Sequence, residues 1–289
     1  ILSHTTSQRP YRLSMNPTLV GKLLKFSWPL MLSGLLLFLV FHGDRAVVGH
    51  YFSMHELGFF SLVLTAFLLP SQLLHKVYDS LFLSSLSKAF RHRDRFESQQ
   101  FLIWHSLFAL STAYVLFSIL LGPWLFIFLF GEKYEPGLDL LPWIVLMVSV
   151  RILRIATSML ALATAKPYCE LYANLVRASA LPIAIIGLAM GYPIECVPIA
   201  GIIGEVLALF VGLVSLNLPV SHAVKPPAVS GMIMLWLASM VFITAEIVID
   251  INPPYVSATL AAVLLITMIF FSIKQYSKFT IERGFQNDV

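Results

Sequence analysis

Residues 26–52 read FSWPLMLSGLLLFLVFHGDRAVVGHYF, an apolar stretch long enough to cross a bilayer as one helix. Near its far end the stretch carries an adjacent carboxylate and guanidinium, Asp44 and Arg45. A charge at the bilayer centre costs about 2.5–3.5 kcal/mol, which favours a functional role for this pair. Two other interpretations stay open: the two charges neutralise each other, or Arg45 extends into the headgroups.

The composition of the whole chain indicates an integral membrane protein. Of the 289 residues, 58% are hydrophobic and 12% are charged, with a mean hydropathy of +0.84. A soluble domain has about twice this share of charged residues. The net charge of +4 is modest and comes from bases in a few loops, so we expect contact with anionic membrane lipids and none with nucleic acid.

The predicted fold class is all-α: a polytopic membrane protein of about eight transmembrane helices, with a six-helix lobe followed by two extra helices. The loop-like start at Ile1 indicates a piece of a longer protein. The predicted division is a cytoplasmic loop segment (1–24), the lobe (25–218), a cytoplasmic linker (219–230), the C-terminal helix pair (231–273) and a cytoplasmic tail (274–289). The predicted helices are residues 26–51, 57–86, 101–130, 138–165, 170–190, 197–216, 231–249 and 256–272.

The distribution of basic residues predicts the orientation. With the N-terminal segment in the cytoplasm, nearly all bases of the loops lie on that side, and only Lys133 lies on the other. Both ends of the chain are then cytoplasmic. The basic loop at residues 88–95 is expected to lie on anionic headgroups. Cys169 and Cys196 should lie near opposite faces of the membrane, which excludes a disulfide between them.

Arg151 and Arg154 fall near the centre of the fourth predicted helix, on one face of it. Two buried like charges repel each other unless a carboxylate, an anion or water faces them. The arginines could pair with Glu205 or Asp79 in a structural network, or line a cavity for an anionic ligand, since a guanidinium offers phosphate a planar fork of donors. We favour the cavity, because intramembrane charges usually face an aqueous path.

Two further helices carry buried polar candidates. Glu170, Asn174 and Arg177 form one stripe on the fifth predicted helix, with Glu170 expected at the interface and Arg177 deeper. Glu205 follows Gly204 on the sixth, where small residues allow close helix packing. Glu205 is either a counter-ion to an arginine or a proton-binding group, and we favour the counter-ion.

The chain contains no motif typical of an enzyme. It has no P-loop, no histidine or cysteine cluster with metal-ligand spacing and no Gly-x-Ser-x-Gly. We therefore predict neither catalysis nor a bound metal or cofactor.

Short motifs spread along the first six predicted helices carry a family resemblance. They are Pro29-Leu30, Gly43-Asp44-Arg45, Gly49, Glu56-Leu57-Gly58, Pro70, the run from Phe130 to Tyr134 and the run from Leu171 to Arg177. With these motifs the chain resembles the second half of bacterial polysaccharide flippases, in the multidrug/oligosaccharidyl-lipid/polysaccharide exporter superfamily.

The resemblance implies a two-lobed transporter of the bacterial inner membrane that moves undecaprenyl-diphosphate-linked oligosaccharide to the outer leaflet. The implied partners are this substrate, membrane lipids, an N-terminal lobe missing upstream of Ile1, and a polysaccharide polymerase. Carried onto this sequence, the resemblance makes substrate-binding candidates of Arg45, Arg151, Arg154 and Arg177, while Asp44 and Glu205 are candidates for coupling or as counter-ions.

Other functions stay open at this point. A peptidoglycan-precursor flippase also carries a diphosphate. A multidrug or cation antiporter of the same superfamily would need acidic cavity residues, whereas the deep charges here are mainly arginines. A membrane glycosyltransferase or ligase would need a long outer loop, which the predicted layout lacks, and a purely structural subunit would not need the Arg151–Arg154 pair.

Overall fold

The computed structural model describes residues 17–217, 233, 236–239 and 241, and every regular element in them is a helix. This confirms the all-α fold class. Apart from those few positions after 217, the predicted linker, C-terminal helix pair and tail lie outside the described residues. The α-helices are α1 (Pro17–Tyr51), α2 (Met54–Tyr78), α3 (Ser84–Ala89), α4 (Arg93–Leu120), α5 (Gly122–Phe130), α6 (Leu141–Ala163), α7 (Pro167–Ala178), α8 (Ala180–Ala189) and α9 (Cys196–Leu216).

Six stretches of the described chain are long and apolar enough to cross a membrane, which agrees with the predicted six-helix lobe. Adjacent helical elements combine to form several of them. A π-helical turn at Asp79–Leu83 joins α2 to α3, and a 3₁₀ segment at Glu132–Leu140 leads into α6. The spans are Leu23–Tyr51, Met54–Ala89, Arg93–Leu120, Glu132–Ala163, Pro167–Ala189 and Cys196–Leu216.

Two helices begin earlier than their apolar patterns predicted. α1 starts at Pro17, inside the segment predicted to be a loop, because proline suits the first turn of a helix. α4 starts at Arg93, so the predicted basic loop at 88–95 is reduced to a turn at residues 90–92. Arg93 pairs with Glu97 one turn later at 2.9 Å, which supports helix in a polar sequence.

Two predicted helices are each divided in two. The third is interrupted at Leu121, between α4 and α5, next to the bend predicted at Gly122-Pro123. The fifth is interrupted at Ser179, between α7 and α8, which the sequence did not predict. The Ser179 hydroxyl donates to the Val176 carbonyl at 2.6 Å, a local bond that competes with regular helix.

α6 lies at the centre of the described lobe. Of its most apolar stretch, 94% is buried, and it packs against α2, α4, α7 and α9. Polar groups on its flanks are satisfied within the protein: the Ser111 hydroxyl of α4 donates to the Ser149 carbonyl of α6 at 2.9 Å. The indole of Trp236, from the seventh predicted helix, donates to Ser111 Oγ at 3.0 Å. A charged side chain on α6 must therefore find its partner inside the lobe.

The two cysteines lie near opposite ends of the helix pair α7–α8, and the last turn of α9 lies beside the start of α7. Both cysteines are free. Cys169 is buried near the start of α7, where its thiol donates to the Ser215 carbonyl at 3.2 Å, while Cys196 begins α9 at the far end of α8. Lys166 Nζ donates to the Leu216 carbonyl at 2.5 Å and so caps α9. Because Cys169 is buried, labelling it would not report which side of the membrane it faces.

The orientation can instead be tested at two exposed turns. In a protein with both native cysteines replaced by alanine, Tyr192→Cys should react with a membrane-impermeant maleimide added to intact cells, and His92→Cys should react only after lysis. Tyr192 is 57% exposed between α8 and α9, and His92 is exposed between α3 and α4. Labelling of His92→Cys on intact cells would show that the predicted orientation is wrong.

The close approach of α9 to α7 gives a stability prediction. A Cβ at Gly204 would lie 2.9 Å from the Arg177 carbonyl oxygen and 2.9 Å from Ala180 Cβ. Gly204→Ala should therefore lower the free energy of unfolding by about 1–3 kcal/mol, the usual cost of overpacking. The measurement is the thermal unfolding midpoint in detergent. Gly58→Ala in α2 is the matched control, since nothing lies within 4 Å of its Cβ position, and an equal midpoint for the two variants would contradict the prediction.

Candidate anion-binding site

Three arginines meet at one buried carboxylate, and we call Arg151, Arg154, Arg177 and Glu205 the arginine cluster. Glu205 Oε1 accepts a hydrogen bond from Arg151 Nε at 2.6 Å and lies 2.7 Å from Arg177 Nη2. Glu205 Oε2 lies 3.3 Å from Arg154 Nε. The side chains of Glu205 and Arg177 are 1% and 2% exposed, so these charges are withdrawn from solvent.

Helix geometry brings the cluster together at one depth. Arg151 and Arg154 lie one turn apart near the middle of α6. Arg177 lies near the middle of the Pro167–Ala189 span, and Glu205 near the middle of α9. Because Gly204 has no side chain, the α9 backbone comes close enough to α7 for Glu205 to contact Arg177.

Asn174 joins the cluster to a second layer of polar groups. Its Oδ1 accepts from Arg154 Nη1 at 3.0 Å, and its Nδ2 donates to Glu170 Oε1 at 3.0 Å and to Ser33 Oγ at 2.6 Å. Asn174 is fully buried and thereby links α1, α6 and α7. Glu170 also lies 3.7 Å from Arg154 Nη1. Glu170 is 9% exposed, because the stripe it shares with Asn174 and Arg177 faces α6, and its expected depth at the membrane interface stays a prediction.

The three arginines line a cavity of about 90 Å³ between α1, α2, α6 and α7. Leu37 and Phe41 contribute from α1, and Gln72 and His75 from α2. The guanidinium carbons of Arg151 and Arg177 each lie 5.2 Å from the centre of the Phe41 ring, within range of a cation–π interaction. Gln72 is exposed, so the cavity opens at the face where α1 and α2 meet.

Four buried guanidinium nitrogens of the arginine cluster have no hydrogen-bond partner among residues 17–217 or the few later positions described: Arg151 Nη1, Arg154 Nε, Arg177 Nε and Arg177 Nη2. Arg154 Nε and Arg177 Nη2 still lie within ion-pair distance of Glu205. A buried donor without a partner costs about 1–3 kcal/mol. The arginine cluster and Glu170 together hold three guanidiniums and two carboxylates. The arrangement can therefore accept an additional anion.

Asp44 and Arg45 lie apart from these contacts, further along α1. Arg45 Nη2 donates to Thr65 Oγ1 of α2 at 2.8 Å. Asp44 is half-buried and interacts electrostatically with Arg151 and Arg177. Asp79, the alternative partner considered for the arginines of α6, lies 3.6 Å from His75. With Arg45 and Asp44 included, the site holds four guanidiniums and three carboxylates.

The structure thus brings together four of the six candidate site residues. Sequence reasoning missed Ser33 and Phe41, which carry no charge and resemble their neighbours on an apolar helix. It noted Asn174 in a stripe without assigning its role. Among the residues that the structure describes, no group of histidines, cysteines and carboxylates could hold a metal ion.

A protein-family model matches the N-terminal part of the chain. Residues 1–139 match the family model described as "Polysaccharide biosynthesis protein". No curated protein and no solved structure matches. The matched segment includes Asp44 and Arg45 and ends before the arginines of α6. Over residues 1–139, just under half of its length, this multi-pass membrane protein is therefore similar to the polysaccharide biosynthesis protein family.

Proposed function

We propose that this protein is a flippase that moves undecaprenyl-diphosphate-linked oligosaccharide from the inner to the outer leaflet of the bacterial inner membrane for cell-surface polysaccharide synthesis. The observation that carries the proposal is the arginine cluster: its arginines line a cavity in the middle of the spans, and four of their nitrogens have no hydrogen-bond partner among the described residues. The match of residues 1–139 to the polysaccharide biosynthesis family model supports a role in polysaccharide biosynthesis.

A diphosphate is the chemical group that this cluster suits. Guanidinium forks bind phosphate oxygens with paired hydrogen bonds, and such bonds are stronger where water is excluded. Arg151 and Arg177 lie on adjacent helices and share contact with Glu205 Oε1, so they can face one anion together. A cation antiporter is less compatible with the site, because guanidiniums outnumber carboxylates.

A polar path runs along the same face of the lobe. Thr65, Gln72 and Lys76 are exposed on one face of α2, and Arg45 is bonded to Thr65. This face would carry the head group while the lipid tail stays in the bilayer. An inside-negative membrane potential favours outward movement of an anion by about 2.3 kcal/mol per charge per 100 mV.

The exposed face of α1 is compatible with the partners that we propose. Only 17% of the most apolar stretch of α1 is buried, so α1 has a large surface free to contact lipid or other protein. We place an N-terminal lobe of the same protein opposite α1 and α2, across a shared central cavity. A polysaccharide polymerase would use the translocated product.

Substitution of Arg151 tests the proposed site. Arg151→Gln should lower transport per molecule of inserted protein at least tenfold, because the fork that holds the anion is lost; Arg151→Lys keeps the charge but not the fork and should lower it less. Transport is measured in cells lacking their own flippase, with protein abundance in the membrane measured in parallel.

The control is Arg93→Gln, since Arg93 is exposed and its ion pair within the described part of the chain is with Glu97. It should retain wild-type transport. If Arg151 is instead a structural counter-ion, Arg151→Gln should lower abundance and leave transport per molecule of inserted protein unchanged. That result, or full transport by the Arg151→Gln, Arg154→Gln double variant, would contradict the proposed role.

A further inference from the structure

Glu205 occupies the position at which an anion would meet Arg151 and Arg177. Its Oε1 is the atom that both guanidiniums approach, at 2.6 and 2.7 Å, and both arginines also line the cavity. A phosphate oxygen that bound both arginines from the cavity would compete with this carboxylate for the same positive charge. The carboxylate therefore lowers the affinity of the site for any anion.

Glu205 is held by few aligned hydrogen bonds. Within the described part of the chain, only Arg151 Nε donates one to it. Arg177 Nη2 lies 2.7 Å from Glu205 Oε1 but makes no aligned hydrogen bond there. Arg154 Nε and Glu205 Oε2 also have no hydrogen-bond partner among the described residues. The Glu205 carboxylate already lies 3.3 Å from Arg154, so Arg154 is a second arginine with which it can pair.

We propose that Glu205 is an exchangeable internal counter-ion. When a diphosphate binds Arg151 and Arg177, Glu205 moves away from them and pairs with Arg154; when the diphosphate leaves, Glu205 returns. This inference rests on the proposed function and specifies how the site binds and releases its substrate. Glu205 is a positioning residue here, because it acts on the head group through the arginines.

The physical reason is that a carrier must release what it binds. Three buried guanidiniums without an opposing carboxylate would hold a diphosphate too tightly for rapid release. Glu205 supplies an anion that replaces the departing head group, so the arginines are never left without a negative partner. The exchange also removes one ion pair between α9 and α6 and one between α9 and α7 while substrate is bound, because each Oε1 contact joins α9 to one of these helices.

Binding and transport should change in opposite directions when the carboxylate is removed. The probe is radiolabelled farnesyl diphosphate, bound to the full-length protein in detergent. Glu205→Gln should bind it at least tenfold more tightly than wild type and should transport lipid-linked oligosaccharide more slowly per molecule. A purely structural role would lower both binding and transport.

Glu97→Gln is the matched control. It also removes a carboxylate that pairs with an arginine, but the pair, Arg93–Glu97, lies outside the cavity. Its affinity for farnesyl diphosphate should stay within about threefold of wild type. Should Glu205→Gln fail to fold, Glu205→Asp serves instead. The shorter aspartate side chain cannot reach both Arg151 and Arg177, so this variant should also bind farnesyl diphosphate more tightly than wild type.

The outcomes separate this inference from the proposed function. If Arg151→Gln loses farnesyl diphosphate binding while Glu205→Gln binds no more tightly than wild type, counter-ion exchange is wrong and the binding site stands. If Arg151→Gln binds as tightly as wild type, the anion-binding site itself is wrong. Tighter binding by Glu205→Gln together with faster transport would also overturn the exchange, because release would then not depend on the carboxylate.

Discussion

One carboxylate shared by three guanidiniums determines how α6, α7 and α9 pack. Moving a charge into a low-dielectric interior costs several kcal/mol, and that cost is offset only when opposite charges stand at close range. Glu205 reaches two arginines within 2.7 Å and a third at 3.3 Å. These contacts require α9 to lie almost against the α7 backbone, which is possible because residue 204 is glycine.

Stability alone does not explain the cluster. Replacing a buried ion pair by apolar side chains of similar volume is often neutral or stabilising, by about 1–4 kcal/mol. In a lobe whose central helix is otherwise almost entirely apolar and buried, leucines could fill the same space. The chain instead keeps three arginines whose side chains are at most 10% exposed, and four of their nitrogens have no hydrogen-bond partner in the described part of the chain. Such an arrangement is expected where charge is needed for binding.

Hydropathy was sufficient to predict the helical class and the six spans, because an unbroken apolar run has one stable form in a bilayer. The charged face of α6 was equally visible, since it depends only on the spacing of Arg151 and Arg154. The carboxylate partner of these arginines could not be predicted in the same way, because two helices, α7 and α8, separate Arg151 from Glu205 in the sequence. Both Asp79 and Glu205 were compatible with the sequence. Glu170 is a related case: its burial depends on which face of α7 meets α6, and the distance from the helix end does not identify that face.

The side chains along α2, which lines one side of the cavity, affect how an anion could leave the arginine cluster. Thr65, which accepts a hydrogen bond from Arg45 of α1, lies near the middle of α2, and His75 lies near the end of α2, just before Asp79 begins the π-helical turn. Polar groups therefore continue the cavity wall in both directions along one helix. A π-helical turn interrupts the regular hydrogen-bond pattern, and such turns are frequent at functional sites. An anion released from Arg151 and Arg177 would meet polar side chains whichever way it moved, so direction must come from rearrangement of the helices and from the membrane potential rather than from the chemistry of the wall.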